Sequence, residues 1–252
     1  MDSWTVLGAW GPYPAPGGAL RGHLLQRPGG TALLLGCGGG VASRLGYHLR
    51  GWEELGAVLL PDLHPAHIAD LWPLGSQTVA AVGQGRRRGL LPAYAPLAQE
   101  AAWRALGRPG VLDVRGVAPG DRPRLAGWRV ELGRDRTPAI RIGGETGEAG
   151  FVPAGARLAD QADLLRGVGL LVVEMAPADG EDLPAPDLAP AAADLALASG
   201  AQILVLSHLD PDADAAGSLA AARARFPQTS LALEGRTYNV PPGLTPPASS
   251  PA

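Results

Sequence analysis

The chain has 252 residues, 46% of them hydrophobic, which is enough to bury one large α/β core. Its 21 basic and 24 acidic residues leave a net charge of -3, so no global field draws it toward nucleic acid or an anionic membrane. Cys37 is the only cysteine, which excludes an intramolecular disulfide or a thiolate metal cluster and fits a reducing cytoplasm.

The opening residues lack a charged segment followed by an apolar one, and no apolar run approaches the ~20 residues that span a bilayer. A cytoplasmic protein without membrane partners is expected. Residues 4–9, Gly22–Gln26 and residues 31–35 are short apolar runs punctuated by Gly and Pro, and read as consecutive strands. Helical spacing over residues 41–49 and a buried strand over 57–60 follow. Further on, residues 68–71 can open a helix, 77–82 is a strand candidate and 94–106 has helical spacing. Residues 111–117, 124–132 and 139–142 then alternate like strands, and a turn over 143–148 leads into residues 150–152. The last third runs helix (158–165), strand (Leu170–Glu174), helix (Ala189–Ser199), strand (202–206) and helix (215–225).

Both halves thus place strands first and alternating α/β elements second. That order predicts two mixed sheets face to face with helices outside, a four-layer αββα sandwich. One domain is expected over residues 1–238. Residues 239–252, rich in Pro and Ser without apolar periodicity, are expected to be a disordered tail.

The chemistry is concentrated after the strand at 57–60, where Asp62, His64, Ala66 and His67 stand in one short loop. Four stretches, in order and spacing, resemble the metallo-β-lactamase fold hydrolases, especially their ribonuclease Z-like and small phosphodiesterase branch. They are Leu7-Gly8-Ala9-Trp10-Gly11-Pro12-Tyr13-Pro14, the glycine run Leu35-Gly36-Cys37-Gly38-Gly39-Gly40, the His64 loop, and Leu206-Ser207-His208-Leu209. The family's loop reads His-x-His-x-Asp-His and helps to hold two metals ~3.5–4 Å apart that together activate water.

Carried over by position, the resemblance keeps His64, His67 and His208, puts Asp62 in place of the first histidine and Ala66 in place of the aspartate. It places the family's middle histidine at Gly133, with Asp135 as nearest substitute, and its bridging aspartate at Ala154. Glu145, in Gly144-Glu145-Thr146, is assigned to turn chemistry instead. Gly36 stands where the family has an aspartate that orients a metal-bound histidine, and Pro186-Asp187-Leu188 where it has a proton donor. The implied reading is a hydrolase-like protein with a degenerate dinuclear site and no cofactor, binding an unknown small molecule or phosphodiester. A homodimer is expected by analogy with the family.

Three other readings stand beside it. A residual mononuclear hydrolase would hold one zinc ion on His64, His67, His208 and Asp62, with Asp62 as ligand or base. The glycine run after a strand could serve a Rossmann-like nucleotide or S-adenosylmethionine site through Gly38 and Gly40, with Asp62 near the acidic position. Finally, Arg86, Arg87 and Arg88 form the one strong basic run and are candidate phosphate-binding residues, although the acidic balance speaks against a nucleic-acid partner.

Overall fold

The computed structural model describes residues 1–99, 111–175 and 188–244. Its first sheet contains β1 (Ser3–Gly8), β2 (Gly22–Gln26), β3 (Ala32–Leu35), β4 (Leu55–Leu59), β5 (Pro92–Pro96), β6 (Asp113–Val117) and β14 (Thr237–Asn239), ordered β14-β1-β2-β3-β4-β5-β6. The second contains β7 (Arg124–Leu125), β8 (Trp128–Leu132), β9 (Ile140–Gly143), β10 (Glu148–Val152), β11 (Leu170–Glu174), β12 (Ile203–Ser207) and β13 (Thr229–Leu231), ordered β13-β12-β11-β10-β9-β8-β7. Each sheet is antiparallel where hairpins join its strands and parallel where helices do.

Side chains of alternate strand residues explain the layering. Trp4, Val6, Leu25, Leu33, Leu35, Trp128, Ile140, Ile142, Phe151 and Val172 fill the space between the sheets. Their neighbours Leu24, Leu34 and Val58 face α1 (Val41–Leu45) and α3 (Leu71–Gly83). On the other side, Leu171, Val173, Leu204 and Leu206 face α4 (Ala189–Ser199) and the end of α5 (Ala215–Arg223). A strand buried on both faces reads as a continuous apolar run, which is why LLVV and ILVL carry no polar alternation. The result is the αββα sandwich that the strand order predicts.

Several local expectations change. Residues 77–82 belong to α3, whose buried Leu71, Leu74, Gly75, Thr78 and Ala81 recur at helical spacing, so the strand assignment mistook one face of a helix for a run. Tyr94 lies in β5 rather than in a helix, because Ala93 and Ala95 point inward with period two; the rest of that expected helix, from residue 100 on, falls outside the described residues. The helix expected at 158–165 is a single 3-10 turn, Leu158–Asp160. Asn239 is part of β14, paired with Ser3, and Pro242 bridges to Val168, so the ordered chain continues past residue 238. Residues 245–252 lie outside the description.

The Rossmann-like alternative is overturned by this topology and by the glycine run itself. The amides of Gly36, Cys37 and Gly38 are spent on the carbonyls of Leu59, His67 and Arg21, and Ala42 N–H, in the first turn of α1, donates to Asp70 Oδ2. Amides that close the fold are not free to cradle a phosphate. No helix of the described residues is long and apolar enough to cross a membrane.

Candidate functional site

The carboxyl ends of parallel strands from both sheets meet at one end of the sandwich, the usual place for a site in such sheets. β4 delivers the Asp62–His67 loop, β11 ends on Glu174, and β12 leads into His208. Asp62, His64, His67 and His208 line part of a cleft of about 930 Å³ together with Arg21, Ala154, Asp135 and Arg136.

The loop is shaped by its own polar atoms. Asp62 Oδ1 accepts the backbone N–H of His64 at 2.9 Å and lies 2.8 Å from Nδ1 of His67. His64 in turn caps α2 (Pro65–Ile68), its Nδ1 accepting from Ala66 N–H at 3.3 Å, with Pro65 at the first helical position. His67 is buried, and its carbonyl accepts from Cys37 N–H. The imidazoles of His64, His67 and His208 form a chain, with centroids 5.1 Å and 5.0 Å apart. The structure therefore gathers all four residual ligand candidates in one place.

At the centre of that place stands a residue that the motif reading did not single out. Arg21, just before β2, is fully buried and sends Nε and Nη2 to the two oxygens of Glu174 at 2.5 and 2.6 Å. Its Nη1 pairs with Asp62 Oδ2. This fork-to-fork geometry is the strong form of a carboxylate pair. Glu174 also accepts Ala154 N–H at 2.9 Å and lies 3.7 Å from Nδ1 of His208. One guanidinium thus joins the two carboxylates of the site.

Electrostatics follow from that arrangement. Burial works to lower the Arg21 pKa, but Glu174 and Asp62 outweigh it and push it up. Burial, the largest single influence, likewise works to raise Asp62 and Glu174; the Arg21 charge together with His67 at Asp62, and together with His208, His67 and the Ala154 N–H at Glu174, outweighs it, so both carboxyls sit below the usual range. All three groups are ionised at neutral pH.

Gly36 makes room for this cation. Its φ is +74°, and a Cβ there would lie 3.0 Å from Cγ and Cδ of Arg21, so the arginine stem runs across the position where the resembled family keeps its aspartate. Substituting Gly36→Ala combines left-handed backbone strain with crowding of that stem, and is expected to cost about 1–3 kcal/mol. A urea melt measures it, and an unchanged midpoint would count against the stem's path.

The remaining candidates are placed as follows. Ala66 lies in α2, and Ala154 lies beside Glu174, while the Gly133 amide donates to Ala139 O. Asp135 lines the cleft and accepts from Gln161 Nε2 at 2.8 Å. Glu145 is exposed in the β9–β10 turn, 3.7 Å from Arg27, and does not line the cleft. Arg86 bonds to Gln84 and Glu53, and Arg87 to the carbonyls of Gly89, Trp52 and Leu55; with Arg88 they stand outside the cleft lining. Leu188 precedes α4, and the neighbouring Pro186 and Asp187 fall outside the described residues.

Among the described residues, no group of three or more His, Cys, Asp or Glu side chains is arranged to hold a metal ion. The signals that could have found Arg21 and Glu174 are plain in retrospect. A lone arginine interrupts the run from Ala19 to Leu25, and an acid closes the apolar strand LLVVE. A charge at such a position is seldom buried unless paired.

No family model matches the sequence. A 92-residue segment is 39% identical to the probable metallo-hydrolase YhfI of Bacillus subtilis strain 168, and that match spans 36% of this chain and 36% of the other, about a third of the relative's length. Among solved structures, the metallo-beta-lactamase fold protein YhfI from Bacillus subtilis superposes with a TM-score of 0.79 at 24% identity, over 94% of this chain and 98% of that one. Zn(2+)-bound PqqB from Methylobacterium extorquens gives 0.68 at 16% identity, over 95% and 100%. The short form of human tRNase Z gives 0.66 at 17%, over 96% and 100%.

Proposed function

Because the chain has the metallo-β-lactamase fold, we propose that it is a hydrolase-like protein whose dinuclear metal centre is degenerate and whose cleft binds a small molecule without metal-dependent cleavage. The observation that carries this reading is the buried Arg21 guanidinium, ion-paired with Glu174 and Asp62 beside His67 and His208. A dication beside that charge would meet repulsion, and the carboxylates that would attract it are already engaged. The residues present do not fit the metals that the fold family implies.

The alanines support the same reading. Ala66 and Ala154 offer no oxygen where the resemblance puts an aspartate and a bridging aspartate, so nothing neutralises two dications. The mononuclear alternative on His64, His67, His208 and Asp62 would require Asp62 to leave both Arg21 and His67, and is the less supported one.

The test is a metal analysis for zinc, iron and manganese on protein purified without chelator, paired with cleavage of bis-p-nitrophenyl phosphate with each metal added. Less than about 0.1 metal per chain and no metal-stimulated turnover are expected of a site that lacks its ligands. Two tightly held metals with chelator-sensitive turnover would sink the proposal.

A further inference from the structure

Resting on that reading, and giving its small molecule a chemical class, we infer that the cleft takes an apolar monocarboxylate, its carboxylate held by Arg136 and Arg157 and its apolar body laid against the wall that Leu97 helps to form. Both arginines are exposed on the cleft lining, and neither side chain has a hydrogen-bond or ion-pair partner among the described residues. Arg21, on the same lining, is spent on Glu174 and Asp62, and the run Arg86 to Arg88 stands outside it. One free guanidinium on a surface signifies little, but these two stand on segments that are tied together.

Gln161 makes the tie. It is 1% exposed, and its Nε2 donates to Asp135 Oδ2 at 2.8 Å, in the loop between β8 and β9, and to the Arg157 carbonyl at 3.0 Å, in the segment after β10. A buried amide thus braces the backbone at Arg157 and next to Arg136. Each guanidinium is a planar fork of donors that matches a carboxylate, and fixing the two backbones beforehand lowers the ordering cost of binding.

The wall supplies the apolar half. Leu97 remains 49% exposed on the lining, which it shares with Val117, Pro119 and Pro138. Its side chain lies over Gly116, where a Cβ would meet Leu97 Cδ2 at 2.1 Å. Burying such surface under a hydrocarbon body is favourable, and a cleft of about 930 Å³ admits a small organic ligand.

Charge then selects among anions. Asp135 and Asp160 share the lining with Arg136 and Arg157, so these four side chains carry no excess positive charge. Paired N–H donors can still hold one carboxylate at short range, whereas the second negative charge of a phosphate monoester would face two aspartates without a cation to balance it.

The experiment titrates wild type, Arg136→Ala and Arg157→Ala calorimetrically with octanoate, octanamide, octyl phosphate and acetate, with and without prior chelator treatment. Both arginines are exposed, so each variant should melt as wild type does. Wild type is expected to bind octanoate about tenfold or more tightly than octanamide, acetate or octyl phosphate. Each arginine variant should lose about tenfold in octanoate affinity and none in octanamide affinity. Equal binding of octanoate and octanamide by wild type, no binding of octanoate, or folded variants that bind octanoate as wild type does would overturn the inference, and tighter binding of octyl phosphate would overturn the choice of a carboxylate.

The chelator arm separates the two claims. Arginine-dependent octanoate binding that survives chelation supports the carboxylate site even if metal and turnover in wild type defeat the proposed function. A metal-free protein that binds no octanoate defeats the carboxylate site alone, and octanoate binding abolished by chelation defeats both.

Discussion

Replacing Glu174 with alanine should destabilise the protein by about 3–5 kcal/mol, because it removes one partner of a buried ion pair and leaves the other charge in a dry interior. Glu174 and Arg21 are both fully shielded from water, and the glutamate also satisfies the Ala154 amide. In a chain of this size the loss corresponds to roughly 10 °C in melting temperature. The matching change at Asp62 should cost less, since that carboxylate is partly exposed and water can take over its share of the guanidinium. Equal losses at the two positions, or a loss at Glu174 below about 1 kcal/mol, would show that the pair is wetter than its burial implies.

The second large effect is an acid loss of stability that has nothing to do with carboxylates. His23, on β2, lies in the inter-sheet core against Trp4 and Phe151, and neither ring nitrogen has a hydrogen-bond partner among the described residues. Burial pushes its pKa down from 6.5 to about 4, with smaller opposing and reinforcing effects from Glu174, Arg21 and His208. The unfolded chain therefore binds a proton near pH 6.5 that the folded chain refuses until near pH 4. Stability from this residue is complete above pH 6.5 and falls away between the two values, by about 3 kcal/mol in all.

Below pH 4 a second loss follows as the unfolded carboxylates take up protons that Asp62 and Glu174 resist while folded. Denaturant melts from pH 7.5 to pH 3 measure both limbs. The His23→Phe variant should keep the lower limb and lose the upper one, and should gain about 1–3 kcal/mol at pH 5 by removing two unsatisfied nitrogens. An upper limb that survives this substitution would place the titrating group elsewhere.

Much of this molecule can be read from its letters. The apolar runs mark most of the strands, and their spacing predicts the sandwich; His64, His67, His208 and Asp62 lie together in the structure. Short segments fail where period two and period 3.6 share the same residues, as at residues 77–82, where Thr78 and Ala81 belong to the buried face of a helix. The centre of the site is less legible for a different reason. Arg21 and Glu174 are 153 positions apart, and nothing local to either announces the other. A motif names residues that are near in sequence, whereas the balance of charge in a buried site is settled by the fold as a whole. Gly36 shows both sides of this: the resemblance puts an aspartate at its position, but only the structure shows that an arginine stem runs across it.

The wide separation of the ion-paired residues also orders events during folding. Arg21 and Asp62 belong to the first sheet's strands and loops, and Glu174 to the second sheet. Arg21 and Asp62 can pair within the first sheet, but the second sheet alone offers Glu174 no such partner, so the glutamate stays in water until the halves dock. Contacts across so long a loop form late, after local hairpins and helices have cut the search. The three-way pair then acts as a latch on the docked sandwich: changes to it should leave the folding rate nearly untouched and appear almost wholly in the rate of unfolding.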